Sequence, residues 1–249
     1  MNQVVFESPL LNPAILPLRA AETVSALGST LVVAPHPDDE SLGCGGAIAL
    51  LRSWGCSVSV LVVSDGTRSH PNSRKYPAPV LKVLRENETR SALTILGVES
   101  DRITFLSVPD GAIPDSRAVG FESAVSWCRK YLTTVKPKTI FLPWRFDPHP
   151  DHRATWQLIH SAIAPTVSPH MIEYPIWDWD PEQRGGLPFN QVICWRLDIS
   201  SVLELKLQAI AAYRSQITNL IDDDPEGFRL EPEMLANFSR SWEVYLEAQ

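Results

Sequence analysis

Apolar and polar residues alternate in blocks along the chain, and these blocks predict an alternation of strands and helices. Short, continuous apolar runs predict buried strands, at residues 30–35, 58–63, 103–108, 139–143, 171–174 and 191–197. Apolar residues at helical spacing predict helices, at residues 43–54, 80–96, 121–135, 152–163 and 201–215. No hairpin signal joins the first strand, helix and strand, which indicates a right-handed parallel crossover. The pattern therefore predicts an α/β fold, with a Rossmann-like, mostly parallel β-sheet flanked by helices on both faces.

The length of 249 residues fits a single domain with one large core. We expect this core at about residues 28–216, followed by a C-terminal extension at residues 217–249. Two segments, 64–79 and 175–188, have no regular pattern, and long loops in a compact domain are often functional. The acidic run from Asp222 to Asp224 is predicted to lie in a solvated loop.

The net charge, the apolar runs and the cysteines of the sequence limit the partners and the cellular location that we expect. The net charge is −7 and no cluster of Lys or Arg forms a basic stripe, so nucleic acid is not expected as a partner. No stretch approaches the ~20 consecutive apolar residues of a membrane span, and we expect none. The four cysteines are scattered without a C-x-x-C pair, which indicates reduced thiols and predicts a cytoplasmic protein.

Two short polar clusters interrupt the apolar pattern, each directly after a predicted strand. The first is PHPDDE at residues 35–40 and the second is DPHPDH at residues 147–152. Prolines in both clusters disfavour helical backbone at the preceding residue, so the chain leaves each strand extended or turned. Because parallel strands present their carboxyl ends at one edge of a sheet, side chains of the two clusters can converge there. Two imidazoles and one carboxylate form a ligand set suited to zinc, with a fourth position left for water.

Three other interpretations account for parts of this pattern. Acidic residues in the first turn of a helix interact favourably with the helix dipole and bond free N–H groups, a role expected for Glu40 and Ser41. This role does not explain a histidine at the same place. A two-metal phosphoesterase also uses His and Asp at strand ends, although it needs more ligands than the two clusters supply. A non-catalytic sugar- or nucleotide-binding module would use the glycine-rich GCGG at residues 43–46, which lacks the G-x-G-x-x-G spacing.

Together, PHPDDE at residues 35–40 and HPDH at residues 149–152 resemble the motifs of the LmbE/PIG-L family of zinc-dependent N-deacetylases. Three further segments are similar to family motifs, LRENETRSALTILGV at 84–98, PDG at 109–111 and KLQAIAAYRSQ at 206–216. The resemblance implies an LmbE-like fold and a hydrolase that removes an acetyl group from an N-acetylated amino sugar or sugar conjugate, releasing acetate and a free amine. The individual substrate does not follow from it, and the sequence is compatible with homo-oligomers.

The resemblance also implies roles for individual residues of the two clusters. It implies one zinc ion per chain, with Fe²⁺ as the alternative, held by His36, Asp39 and His152. Asp38 matches the general base of the family. His149 matches the residue that stabilises the oxyanion or protonates the leaving group.

Three more residues are expected to support the centre or to hold the substrate. Asp151 sits where a carboxylate would orient an imidazole ligand. Arg85 and Asp110 match positions that hold sugar hydroxyls in family members. A surface ion pair explains an arginine on a helix nearly as well.

Candidates outside the family motifs come from their positions in the chain. Arg145, just ahead of the second cluster, is expected either to meet a substrate anion or to form a plain salt bridge. Trp177 and Trp179 are candidates for a lid that stacks on a sugar, with loop anchoring as the alternative. Arg68 and His70 lie in the first long loop and are candidates for specificity.

Overall fold

A computed structural model describes residues 12–165, 168–178 and 192–249. The strands of these segments join into one eight-stranded sheet. They are β1 (Leu18–Arg19), β2 (Thr30–Ala34), β3 (Val58–Ser64), β4 (Ile103–Val108), β5 (Thr139–Pro143), β6 (His170–Tyr174), β7 (Val192–Asp198) and β8 (Trp242–Ala248). Their order across the sheet is β1-β7-β8-β6-β5-β2-β3-β4. Neighbours are parallel except where β8 pairs with β6 and β7, so the predicted mostly parallel sheet is confirmed.

Helices cover both faces of this sheet. They are α1 (Asp39–Ser53), α2 (Ala78–Ile95), α3 (Phe121–Val135), α4 (Pro150–Ala162), α5 (Leu203–Ala211), α6 (Arg214–Ile217) and α7 (Pro232–Phe238). One hydrophobic cluster joins the sheet to α1, α2 and α5, and a second joins the opposite face to α3 and α4. The predicted α/β class is therefore confirmed. Among the described helices, none combines the length and apolar character that crossing a membrane requires.

The residues of β2 show how the core is divided between the two faces. Val32 and Ala34 belong to the cluster with α1, whereas Leu31 and Val33 belong to the cluster with α3 and α4. Successive residues of a strand point to opposite faces. Because helices cover both faces of β2, the sequence shows a continuous apolar run there rather than an alternating one.

The strand order places a crevice between β2 and β5. From β2 the chain passes to β3 and β4 on one side, and then returns to form β5 on the other side of β2. The loops that leave β2 and β5 therefore diverge over opposite faces of the sheet. This reversal of direction is where doubly wound folds bind their ligands, and both polar clusters follow these two strands.

The glycine-rich stretch at residues 43–46 lies inside α1 and serves close packing. A Cβ atom on Gly43 would lie 2.3 Å from the ring of Tyr174 on β6, and one on Gly46 would lie 2.6 Å from Ile199. The glycines let α1 approach the sheet and the start of α5. They form no phosphate-binding loop, which removes the sequence argument for a nucleotide-binding module.

The segment 201–215 was predicted as one helix, and this prediction is wrong. The helix α5 ends at Ala211 and α6 begins at Arg214, with Tyr213 at φ −81° and ψ 59° between them. The side chain of Tyr213 is buried and its hydroxyl donates a hydrogen bond to Glu40 of α1. The break is thus accompanied by a tertiary contact that helical periodicity does not reveal.

The strand β8 was not predicted, and it lies inside the segment 217–249. It is antiparallel to both of its neighbours, β6 and β7. The Glu243 carboxylate of β8 accepts hydrogen bonds from the backbone N–H groups of Gly46 and Ala47, at 2.7 and 2.8 Å, and from the Lys206 ammonium at 2.7 Å. The C-terminal segment therefore completes the sheet and is bonded to α1.

Candidate active site

A cavity of about 560 Å³ opens at the carboxyl ends of β2 and β5. This volume lies within the usual range for a small-molecule site. Residues of both polar clusters line it, among them His36, Asp38, Asp39 and His149. The two clusters are thus neighbours in space although more than a hundred residues separate them in sequence.

Asp39 lies between the histidines of the two clusters. Its Oδ2 atom is 3.2 Å from Nδ1 of His36 and 3.3 Å from Nε2 of His152. The same oxygen accepts a hydrogen bond of 2.9 Å from the backbone N–H of His36. The structure therefore brings together the three side chains that the sequence singled out as metal ligands.

The outer nitrogen of each of these two histidines faces a carboxylate. Nε2 of His36 is 3.2 Å from Oδ2 of Asp151 and 3.3 Å from Oδ1 of Asp110. Nδ1 of His152 is 3.4 Å from Oδ1 of Asp147. Carboxylates in this position orient imidazole ligands and fix which nitrogen faces the metal. The sequence argument named Asp151 for this role and missed Asp147, whose only signal was its place at the head of DPHPDH.

The surroundings of His152 test whether this cluster suits a metal ion. His152 is fully buried, and neither ring nitrogen has a partner with hydrogen-bond geometry in the described chain. Buried polar atoms without partners are costly, and a cation between His152 and Asp39 would satisfy Nε2. Two imidazole nitrogens and one carboxylate oxygen are a set that zinc and ferrous iron both accept. The residues present therefore fit a divalent metal.

Charge in the cluster also favours a cation. Burial alone would lower the pKa of His152, but the carboxylates of Asp147 and Asp39 outweigh burial and raise that pKa to about 9. Burial would likewise raise the pKa of Asp39, but His152 and His36 together lower it. The carboxylates of Asp39 and Asp147 thus stay ionised, and their negative charge favours a cation beside His152.

Asp38 has a backbone conformation that is unusual for a residue other than glycine. Its φ is +116°, in the left-handed region, and its carbonyl accepts the backbone N–H of Leu42 at 2.9 Å. This turn starts α1 at Asp39, so the predicted start at Gly43 is wrong by one helical turn. Strained backbone of this kind persists where the surroundings hold it, often at functional sites.

Arg85 of α2 holds the loop around Asp38. Its Nη2 donates a hydrogen bond of 3.2 Å to Oδ2 of Asp38 and another to the carbonyl of Pro37. Burial raises the pKa of Asp38, the Arg85 guanidinium opposes this rise, and the charge of Asp39 adds to it. Arg85 lines the cavity but is only 3% exposed, and its described hydrogen bonds are to the protein.

His149 is held by the start of α4. Its Nδ1 accepts a hydrogen bond of 3.2 Å from the backbone N–H of Asp151. Because a backbone N–H can only donate, the proton of the neutral ring lies on Nε2. Burial and then the charges of His152 and His36 lower the pKa of His149 to about 4, so the neutral form is favoured.

The structure places the other predicted substrate contacts, Trp177 and Arg145, in different surroundings. Trp177 lines the cavity, with its ring centroid 6.3 Å from that of His149 and the planes 27° apart. Arg145 donates to both oxygens of the buried Glu173 carboxylate, as in the salt-bridge alternative, and is not among the described lining residues. Trp179 lies outside the described residues.

The C-terminal segment supplies a wall of the cavity that sequence reasoning missed. Phe228 lines the cavity, and its ring lies 5.7 Å from that of Trp177 in an edge-to-face arrangement. Asp224 accepts the backbone N–H of Asn72 at 2.8 Å, which ties this segment to the first long loop. The prediction of a solvated acidic run is therefore wrong for Asp224, which is buried.

The sheet, its crevice and the His and Asp cluster within it define an LmbE-like deacetylase fold. N,N'-diacetylchitobiose deacetylase from Pyrococcus horikoshii has a similar structure, with TM-score 0.64 and 25% identity, covering 87% of this chain and 82% of that one. GalB, the 4-carboxy-2-hydroxymuconate hydratase from Pseudomonas putida, is also similar, with TM-score 0.60 and 25% identity, covering 76% and 80%. Since a hydratase shares the fold, function has to be argued from the site.

Sequence comparison identifies the family. The PIG-L model, described as GlcNAc-PI de-N-acetylase, matches residues 31–163, more than half of the chain. The diacetylchitobiose deacetylase of Thermococcus kodakarensis is 30% identical over 211 residues, which cover 81% of this chain and 74% of that protein. This chain therefore belongs to the PIG-L family.

Proposed function

We propose that this protein is a metal-dependent hydrolase that removes an acetyl group from an N-acetylated amino sugar or sugar conjugate. The products are acetate and a free amine. Membership of the PIG-L family and a relative named as a deacetylase support the reaction class. The observation that carries the proposal is the position of Asp39, which contacts His36 and His152 beside the cavity that Asp38 lines.

His36, Asp39 and His152 hold one zinc ion per chain in this proposal, with Fe²⁺ as the alternative. When bound, zinc polarises the acetamide carbonyl and lowers the pKa of water towards ~7. Asp151 and Asp147 support the set because each lies against the outer nitrogen of one imidazole. These contacts keep Nδ1 of His36 and Nε2 of His152 directed at Asp39.

Asp38 is the general base that takes the proton from the attacking water. It adjoins Asp39 in sequence, yet its left-handed backbone gives it a separate direction at the wall of the cavity. Burial raises the pKa of this carboxyl, against the opposing charge of Arg85, which makes it a stronger base than an ordinary aspartate. Asp38 or His149 donates a proton to the nitrogen as the C–N bond breaks, so that the leaving group departs as a neutral amine.

His149 stabilises the negative charge that develops on the carbonyl oxygen. Its Nδ1 is occupied by the backbone N–H of Asp151, so Nε2–H is the donor available to a ligand in the cavity. One positioned donor of this type contributes about 3 kcal/mol to stabilisation of the transition state. Trp177 beside it provides a flat apolar surface on which a sugar face can stack.

The remaining assignments follow from the contacts of each residue. Asp110 lines the cavity and is a hydrogen-bond acceptor for a sugar hydroxyl. Arg85 positions Asp38 and reaches the substrate only through the part of its side chain that lines the cavity. Arg145 acts through its ion pair with Glu173 rather than by touching substrate.

The chain is best treated as one LmbE-like domain over residues 1–249. The position of β8 within the sheet supports this, since residues 242–248 complete it. All four cysteines are free, which supports the predicted reducing, cytoplasmic location. Burial raises the pKa of the Cys44 thiol, which agrees with a packing role for that residue.

The test is acetate release from a panel of N-acetylated sugars and conjugates by the zinc-loaded protein, with bound metal counted per chain. We expect release at one metal ion per chain and its loss in Asp38→Asn. Phosphate release from phosphoesters with two ions per chain would favour the two-metal phosphoesterase instead. Failure of the fully loaded protein to release acetate from any member of a broad panel would overturn the proposal.

A further inference from the structure

The guanidinium of Arg68 faces the cavity and makes no described hydrogen bond or ion pair with the protein. The side chain is exposed and lines the cavity. Its backbone N–H donates a hydrogen bond of 2.9 Å to Oδ2 of Asp110. Within residues 12–165, 168–178 and 192–249, no hydrogen-bond or ion-pair partner contacts its guanidinium.

The guanidinium lies beside Gly111, which lines the same cavity. A Cβ atom on Gly111, whose φ is +73°, would come within 2.3 Å of Nη1 and 2.8 Å of Cδ of Arg68. A side chain at residue 111 would require the arginine to move, and the positive φ there itself favours glycine. The N–H of Gly111 donates at 2.8 Å to Asp151, the carboxylate that contacts His36, so Arg68 packs on the same loop that supports the centre.

The turn that carries Arg68 is fixed by a second carboxylate. Oδ1 of Asp65 accepts the backbone N–H of Thr67 at 3.1 Å, the Thr67 hydroxyl at 2.8 Å and the backbone N–H of Asp110 at 3.1 Å. The backbone at Arg68 is therefore fixed by Asp65 and Asp110. A backbone that is already ordered loses less entropy when the side chain binds a ligand.

The other arginine of the cavity, Arg85, is buried and donates to Asp38 and to the carbonyl of Pro37. The two guanidiniums thus differ in exposure and in contacts: that of Arg85 is buried and bonded to the protein, whereas that of Arg68 is exposed to the cavity. A guanidinium recognises carboxylate and phosphate groups through paired, charge-assisted hydrogen bonds. The cavity of about 560 Å³ also extends well beyond the space of an acetamido group.

We propose that Arg68 forms a subsite for an anionic group on the substrate, a carboxylate or a phosphate ester carried by the sugar outside the acetamido group. The preferred substrate is then an anionic conjugate of an N-acetylated amino sugar rather than a neutral oligosaccharide. This inference rests on the proposed deacetylase function.

The test compares glycosides of N-acetylglucosamine that are matched in size. The carboxymethyl glycoside carries a carboxylate, the 2-hydroxyethyl glycoside is its neutral counterpart, and the 1-phosphate tests the phosphate ester. We expect kcat/KM for an anionic member to exceed that of the neutral one by about tenfold or more, mainly through KM. Arg68→Gln should reduce this ratio to near one, and Arg68→Lys should keep part of it.

A binding measurement separates this inference from the proposed function. Titration calorimetry of the zinc-loaded protein with the matched glucosamine glycosides, which are the deacetylated products, reports the subsite without turnover. Arg117→Gln is the control, since Arg117 is exposed and outside the described lining of the cavity; it should leave the ratio unchanged.

The results of these experiments distinguish failure of the anionic subsite from failure of the deacetylase function. Acetate release with equal kcat/KM and equal product affinity for charged and neutral members would overturn the anionic subsite and leave the deacetylase intact. Absence of acetate release from these glycosides and from the broad panel would overturn the function, and the calorimetric ratio would still decide the subsite. Preference for only one of the two anions would identify which group Arg68 accepts.

Discussion

Oδ1 of Asp147 lies 3.4 Å from Nδ1 of His152, and both side chains are fully buried. The same carboxylate accepts backbone N–H groups of His149 at 2.9 Å and of Trp177 at 3.1 Å. One buried group thus contacts a candidate metal ligand, the neighbouring histidine and the aromatic wall of the cavity. Asp147 therefore joins His152 to the cavity wall formed by Trp177.

Asp147→Asn should weaken zinc binding about 10- to 100-fold, because asparagine keeps the shape but removes the charge that supports the His152 imidazole. Competition with a chelator of known affinity measures this. Asp151→Asn, which alters the contact to His36, is the matched comparison. Unchanged zinc affinity in Asp147→Asn would mean that the carboxylate serves only the backbone N–H groups.

Asp38→Asn should retain bound zinc and lose about 10²- to 10⁴-fold in kcat, because a general base is removed and no ligand is. Asparagine tolerates the left-handed backbone that Asp38 adopts, so the loop should keep its conformation. Metal analysis and acetate release together provide the measurement. Asp39→Ala and His152→Ala should lose metal as well as turnover, and near-normal turnover in Asp38→Asn would exclude it as the base.

Arg85→Gln should lower the free energy of unfolding by about 3–5 kcal/mol, because a buried carboxylate loses its charged partner. The carbonyl of Pro37 loses its donor in the same variant. Urea denaturation measures the change. Arg90→Gln is the control on the same helix, since Arg90 is exposed over the Phe105 ring and should cost less than about 1 kcal/mol. Lost sugar affinity with unchanged stability would instead favour direct substrate binding by Arg85.

Gly46→Ala should destabilise the fold by about 1–3 kcal/mol through overpacking. The new Cβ would lie 2.6 to 2.8 Å from three atoms of the β-branched Ile199, which has little freedom to move. Gly45→Ala is the matched variant, because its Cβ meets the unbranched stem of Lys206 at the longer distance of 3.0 Å. Equal stabilities for the two variants, measured by thermal unfolding, would contradict this account of the glycine-rich stretch.

Sequence reasoning was most reliable where a local pattern reflects burial. The run of β2 is apolar because helices cover both of its faces, and the same physics marks β3 and β5. Helix boundaries were less reliable, since α1 starts at a left-handed Asp38 and the break before α6 coincides with the contact between Tyr213 and Glu40. Those features depend on contacts between distant residues.

The sequence by itself determined the α/β class, the parallel strands of the crevice and the residue types of the two polar clusters, because each is written in a local pattern of apolar, proline and chelating residues. Only the tertiary structure decided that Asp147 supports His152, that Phe228 faces Trp177 and that Arg85 is engaged by Asp38 while Arg68 is not. The physical reason is that a side chain's role depends on which partners folding brings within hydrogen-bonding distance, and spacing along the chain does not specify those partners.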